Sequence, residues 1–250
     1  MDALPVSDAP VIRPRFVALG AFGAGVPVLA ALRVSVLWAA IAVAVWLCIL
    51  GYAWHLLGVT RRSERAPWVR LGVANAVTLF RGWLLALLAG AAVVSAPPMG
   101  LVTSLFVLAV SLDAVDGAIA RRTHETTLGA RLDAAMDALA VLVGSVVAVS
   151  VGALPWWYLV AGGVWYAYAG SLSLRKRAGR PVFSLPESRL RPAIGVSQFL
   201  IIGVALAPVA VLSVPDVVVA IALGALCVSF ARDWAAATGR LGECQEQRDR

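Results

Sequence analysis

Apolar residues in this chain come in long unbroken runs, without the alternation of a half-buried strand or the one-sided stripe of a soluble helix. The first four runs are Phe16–Leu32, Val34–Gly58, Leu71–Ser95 and one that starts at Pro98 and reaches Leu112 before meeting Asp113. Beyond a polar stretch they resume as Ala138–Leu154, Trp156–Leu172, Ala193–Ser213 and Val217–Ala231. A helix that crosses a bilayer needs about 20 apolar residues, with a working range of roughly 17–25. The pattern therefore predicts about eight membrane-crossing helices and an all-α polytopic membrane protein. Prolines punctuate the breaks, at Pro97-Pro98, Pro155, Pro186, Pro192 and Pro215. No internal repeat or low-complexity segment interrupts the series.

Composition agrees. Of the 250 residues, 61% are hydrophobic and only 14% charged, and the mean hydropathy is +0.87. A soluble domain is nearer half apolar and a quarter charged. The net charge of +7 and the isoelectric point near 10.1 then mark loops facing anionic lipid, with no nucleic-acid partner implied. Placing Arg121, Arg122 and Arg131 in the cytoplasm and alternating sides from there puts nearly every other basic residue inside as well. Arg33 is the outer exception, and Arg81 sits within a span. Trp156-Trp157 at one boundary and Trp68 and Trp234 at the other fit aromatic belts. Arg13 and Arg15 ahead of the first run also resemble a signal peptide, but poor cleavage sites near Ala30-Ala31 favour a retained helix, irregular because of Gly20, Gly23, Gly25 and Pro27. Cys48, Cys227 and Cys244 are scattered and form neither a disulfide framework nor a metal motif.

Against this background the stretch Asp113–Asp137 stands out, with four aspartates in 25 residues. Ionisable residues at membrane depth are costly and usually face a cavity or a functional site. Asp113, Asp116, Gly117 and Ala120 follow i, i+3, i+4, i+7 and share one helix face. On the next helix Asp133 and Asp137 are i, i+4, with Gly129 one turn earlier. A short polar connection, 122–128, makes the two helices antiparallel neighbours, so the carboxylates can converge just inside the cytoplasmic surface. Four carboxylates that close need a neutralising cation. Hard oxygen donors select magnesium, manganese or calcium, and a bridged pair of such ions suits displacement at phosphorus. The small residues Gly117, Ala120 and Gly129 leave room for a ligand. A plainer alternative pairs the aspartates with Arg121, Arg122 and Arg131 as interfacial charges.

The motif Asp113-x-x-Asp116-Gly117-x-x-Ala120-Arg121, seven residues, then Gly129-x-x-x-Asp133-x-x-x-Asp137 resembles the signature of the class I CDP-alcohol phosphatidyltransferases, with every fixed position filled. The resemblance runs from about Arg70 to Trp234 and takes in six of the eight expected spans. It implies a membrane enzyme, commonly a homodimer, that moves a phosphatidyl group from a CDP-linked lipid, usually CDP-diacylglycerol, to an alcohol and releases CMP. It further implies that Asp113, Asp116 and Asp133 hold divalent metal, Mg2+ or Mn2+ and two ions. Asp137 would complete that site and act as general base. Gly117, Ala120 and Gly129 would line the cytidine side, while Arg121 would either touch phosphate or lock the helix pair. The chain then divides into an N-terminal membrane hairpin, 1–60, with no motif of its own, a six-helix family core, 61–238, and a polar cytoplasmic tail, 239–250. Its expected place is the cell membrane, with the site at the cytoplasmic face. Ala138 stands where many relatives have a basic residue, which leaves the subfamily open.

Upstream, Asn75, Thr78 and Arg81 at i, i+3, i+6 are similar to the family's Asn-x-x-Thr-x-x-Arg stretch, though Ala74 replaces the common proline. The resemblance places them at the nucleotide or its phosphates; a polar helix–helix contact is the plainer reading. No Ser, Cys or His stands in the motif as a paired nucleophile, so a single in-line displacement is expected over a covalent intermediate. His124, in the connecting loop, is expected to be solvated. Arg175, Lys176, Arg177, Arg180, Arg189 and Arg191 crowd one cytoplasmic loop. They could bind an acceptor's phosphate or serve as topology determinants on anionic lipid. A transporter or channel with an acidic cation site is the non-enzyme alternative; it leaves the Gly/Ala spacing unexplained.

Overall fold

A computed structural model of the chain describes residues 9–31, 34–64, 73–122, 127–185, 188, 190–208 and 214–240. Within these ranges the side chains at 9–17, 31, 59–64, 73–74, 114–122 and 127–128 lie outside the description. Helices occupy all eight apolar runs: α1 (Ala9–Ala31), α2 (Val36–Glu64), α3 (Val73–Gly90), α4 (Met99–Arg122), α5 (Thr127–Ser150), α6 (Leu159–Arg177), α7 (Leu190–Leu206) and α8 (Asp216–Ala237). Single 3-10 turns at Ala91–Val93 and Trp156–Tyr158 follow α3 and precede α6. Among the described residues there is no strand, and the protein is an all-α polytopic membrane protein.

Local chemistry explains the helix ends. Ser35 caps α2, its hydroxyl accepting the Trp38 backbone N–H at 3.0 Å. Proline carbonyls open α4 and α8: Pro98 accepts from Leu101 and Val102, and Pro215 from Val218 and Val219. Proline suits a helix start because the N–H it lacks would have no intrahelical partner there. Gly179 and Gly239 close α6 and α8 in the left-handed region, with φ near +69° and +74°. Each lets the next residue's N–H reach back five positions, Arg180 to Arg175 and Arg240 to Ala235.

Among the described residues, four helical segments are long and apolar enough to cross a membrane: Val36–Gly58, Asn75–Val93, Gly129–Ser150 and Asp216–Ala237. Shorter apolar helices run over Ala18–Ala30, Met99–Asp113 and Leu190–Leu206. By length and apolarity alone the sequence expectation of about eight crossings is thus matched in four. Asp113 cuts the apolar part of α4 short, and α6 mixes its apolar residues with Tyr, Ser and Gly before ending in Arg175-Lys176-Arg177.

The chain forms two compact units, Met1–Leu139 and Ala140–Arg250. In the first, α2 packs against α1 and α3, and α3 packs against α4. The buried ridge of α2 is Ala39, Ala42, Trp46, Ile49 and Ala53, spaced alternately three and four apart as a helix face requires. Lipid tails are as apolar as leucine, so apolar burial gives little drive for one span to associate with another; close packing and polar links decide instead. Close packing is visible at Gly23 and Gly90, where a Cβ would overlap the indoles of Trp46 and Trp38.

The polar link is at Gly23 as well. Pro27 lies four residues further along α1 and has no N–H to donate to the Gly23 carbonyl. The Trp83 indole, from α3, donates to that carbonyl at 3.0 Å. The irregularity expected of α1 is therefore absent: it is one continuous helix from Ala9 to Ala31. A neighbouring helix satisfies the backbone group that proline would have left bare in an apolar medium.

In the second unit α8 packs against α6 and α7. The Tyr158 hydroxyl donates to Gln198 Oε1 at 2.8 Å, and Gln198 Nε2 donates to the Ala222 carbonyl at 3.1 Å. Tyr158 and Gln198 are both fully buried, so this chain of hydrogen bonds ties the 3-10 turn, α7 and α8 together. A Cβ on Gly162 of α6 would fall 2.8 Å from the Leu142 Cα of α5, which marks a close helix contact.

Trp83→Phe should cost about 1–3 kcal/mol of stability, the penalty of a buried carbonyl left without a donor. In a Pro27→Ala background, which restores the intrahelical donor, the same change should cost less than half as much. Thermal or denaturant unfolding of the purified protein measures both. Equal costs in the two backgrounds would contradict the assigned link.

Candidate metal centre

Three helices of the first unit build the site. On α3, Asn75, Thr78 and Arg81 are all buried, Arg81 completely, so the i, i+3, i+6 spacing does turn one polar face inward. Asp113 lies on α4, and Asp133 and Asp137 lie one turn apart on α5. The close approach of α3 to α5 depends on Gly82, where a Cβ would lie 2.8 Å from Met136 Sδ and 3.2 Å from Ile49 Cγ2.

Arg81 brings the three carboxylates together. Its Nη1 donates to Asp113 Oδ1 at 2.7 Å and to Asp133 Oδ1 at 3.1 Å, and its Nη2 donates to Asp137 Oδ1. The guanidinium is wholly buried while the three carboxylate side chains are 32%, 41% and 41% exposed. The cluster therefore has a cationic floor inside the helix bundle and an open acidic side. Both halves need each other, since a buried charge without a partner is costly and clustered carboxylates without a cation repel.

The sequence leaves Arg81 either at the nucleotide or in a polar helix–helix contact; in the structure it pairs with the aspartates of α4 and α5. Arg131, one of the three arginines in the plainer alternative, is exposed. The signal for Arg81 was nonetheless present. An arginine inside an apolar span needs an acidic partner at the same depth, and the apolar runs hold no acidic residue, which leaves those at their borders such as Asp113 and Asp137. Gly129 is half-buried at the start of α5. The side chains of Asp116, Ala120 and Arg121, and position Gly117 with them, lie outside the described residues, as does His124.

The donor set suits a hard divalent cation. Asp113, Asp133 and Asp137 each offer one carboxylate oxygen, and these oxygens all lie within 4.8 Å of one another. Oxygens bound to one such ion at about 2.0–2.6 Å stand roughly 3–5 Å apart, so the spacing fits.

The basic loop lies in the second unit. Arg175 Nε donates to the Pro181 carbonyl at 2.9 Å and Nη2 to the Thr238 carbonyl at 3.3 Å. Arg191 forms an ion pair with Asp233 at 2.7 Å, a pairing that sequence spacing does not reveal. Phe183 hydrogen-bonds through its N–H to the Ala237 carbonyl. This segment is thus strapped to the end of α8. Lys176, Arg177 and Arg180 are exposed, and Arg189 lies outside the described residues.

The fold and the cluster define a class: a polytopic helical membrane protein with carboxylates from two helices gathered on a buried arginine. The family model for CDP-alcohol phosphatidyltransferase matches residues 71–235, more than half of the chain, taking in α3 to α7 and all but the last two residues of α8. The chain belongs to the CDP-alcohol phosphatidyltransferase family. No curated protein and no solved structure matches it at a significant level. Membership implies phosphatidyl transfer at a membrane in phospholipid synthesis, in a family that generally uses divalent metal.

A divalent ion that binds the folded cluster raises stability by mass action, by about 2.7 kcal/mol at a hundredfold excess over Kd. Mg2+ or Mn2+ should therefore raise the thermal midpoint of the purified protein, and chelator should reverse the rise. Asp133→Asn should remove most of the increment. An increment that survives replacement of Asp113, Asp133 and Asp137 together would mean that the ions bind elsewhere.

Proposed function

We propose that the chain transfers a phosphatidyl group from CDP-diacylglycerol to a small polar alcohol with release of CMP, at the cytoplasmic face of the cell membrane. The observation that carries this reading is the gathering of carboxylate oxygens from Asp113, Asp133 and Asp137 within 4.8 Å of one another, inside the stretch that the family model matches. Asp116 joins them as the fourth ligand of a two-ion site for Mg2+ or Mn2+. Such ions, when bound, neutralise the pyrophosphate and the departing CMP.

The chain's own residues do the rest. Asp137 orients the acceptor hydroxyl and takes its proton as the new oxygen–phosphorus bond forms. The bond from phosphorus to the CMP oxygen breaks in the same step, and CMP leaves with that electron pair. Gly117, Ala120 and Gly129 let the cytidine approach the backbone, while Asn75, Thr78 and Arg121 face the nucleotide and its phosphates. Family usage supports a homodimer. The first 60 residues act as scaffold, consistent with the packing of α1 on α2 and of α2 on α3.

The acceptor is sought among glycerol 3-phosphate, inositol phosphate, inositol, glycerol and serine. CMP release from CDP-diacylglycerol by purified protein, with each alcohol in turn, identifies it. If the acceptor carries phosphate, alanine at Lys176, Arg177 and Arg180 should raise its KM, because arginine and lysine pair with phosphate oxygens. Asp137→Asn should lower turnover by about 10²–10⁴-fold with CDP-lipid binding kept, the usual worth of a general base. Asp113→Asn should lose both. Equal loss of binding in the two variants would remove Asp137 as the base. Ion flux into liposomes without any CMP release would replace the enzyme with a transporter.

A further inference from the structure

We infer that Arg81 is the positioning residue of the metal centre, and that its fork sets which size of divalent cation the aspartates accept. The inference rests on the proposed reading of Asp113, Asp133 and Asp137 as metal ligands. Three observations carry it. First, one rigid planar group touches all three carboxylates, Nη1 bridging Asp113 of α4 and Asp133 of α5 while Nη2 meets Asp137 a turn further along α5. A guanidinium holds its nitrogens in a fixed plane, so oxygens bound to it cannot spread independently. Second, the guanidinium is wholly buried and the carboxylates are partly open, so the constraint acts from the inner side of the site. Third, the next residue, Gly82, brings α3 against Met136 of α5 and Ile49 of α2, which leaves the backbone carrying Arg81 little freedom to retreat.

The consequence concerns geometry more than charge. Mg2+ requires near-ideal octahedral oxygens at about 2.0–2.1 Å, whereas Ca2+ accepts a looser shell at about 2.3–2.6 Å. Moving from the first to the second needs neighbouring ligand oxygens to part by roughly half an ångström. Carboxylates pinned to one plane resist that separation; without the shared guanidinium they part more readily. Arg81 thus disfavours the larger ion, and an ammonium in its place keeps the charge but loses the fork.

The test uses the full chain in detergent or nanodiscs. Free Mn2+, followed by electron paramagnetic resonance, gives Mn2+ affinity, and displacement by Ca2+ gives the preference between the two ions. Arg81→Gln should shift that preference toward Ca2+ by tenfold or more, and Arg81→Lys should give a smaller shift in the same direction. Leu85→Ala removes a fully buried side chain one turn along α3. It should lower the thermal midpoint yet leave the ion preference unchanged, which separates positioning from general packing. If Arg81→Gln does not fold, Arg81→Lys and Leu85→Ala decide between them. A wild-type preference in Arg81→Lys, or in a folded Arg81→Gln, overturns the inference, and so does an equal shift in Leu85→Ala. Mn2+ binding that is absent from the wild type, or indifferent to Asp133→Asn, overturns the metal reading beneath it; binding that is lost in Asp133→Asn but unselective in every variant overturns the role of Arg81 alone.

Discussion

A single buried guanidinium holds the chemistry of this protein together. Arg81 stands inside an apolar helix, where an unpaired charge is not tolerated, and meets three carboxylates from two other helices. Each partner makes the other affordable in the bundle. The pairing also fixes where the acidic residues point, because their exposed sides lie away from the arginine. What the family's reaction needs, a compact set of oxygen donors open on one side, follows from a need for charge neutrality at membrane depth.

The same constraint shapes the scaffold around the site. Between apolar helices in lipid, specificity comes from small residues and hydrogen bonds more than from burial. Gly82 lets α3 reach α5 where Arg81 works. The Trp83 indole supplies the donor that Pro27 removes from α1, so the helix that carries the site also stabilises the N-terminal hairpin. Arg81, Gly82 and Trp83 are consecutive: Arg81 meets α4 and α5, Gly82 meets α5 and α2, and Trp83 meets α1. In the second unit the buried Tyr158–Gln198–Ala222 chain plays a comparable part among apolar side chains.

Much of this was legible beforehand. Unbroken apolar runs set the helices and their order, because a span must be both long and apolar. Spacing puts Asp113 on one helix face and Asp133 with Asp137 on another, and the fold gathers the three. What spacing could not supply was the partner. Arg81 is distant in sequence from the aspartates, and periodicity assigns a residue to a face without saying which helix lies opposite. The Pro27–Trp83 link was hidden for the same reason: proline announces a missing donor, but only tertiary packing names the replacement. The expected irregularity of α1 failed there, since local propensity was overridden by a neighbour. Arg191 and Asp233 escaped notice because a basic loop reads as uniform charge until the fold separates the arginines that are tied down from those that are not.

The most direct measurement is an anomalous-scattering crystal structure of the protein grown with Mn2+. The account predicts a manganese peak within about 2.0–2.6 Å of oxygens from Asp113, Asp133 and Asp137, with the Arg81 guanidinium still in contact with at least one of those carboxylates on its buried side. Manganese bound elsewhere, or aspartates that turn away from one another around an arginine paired with something else, would contradict it.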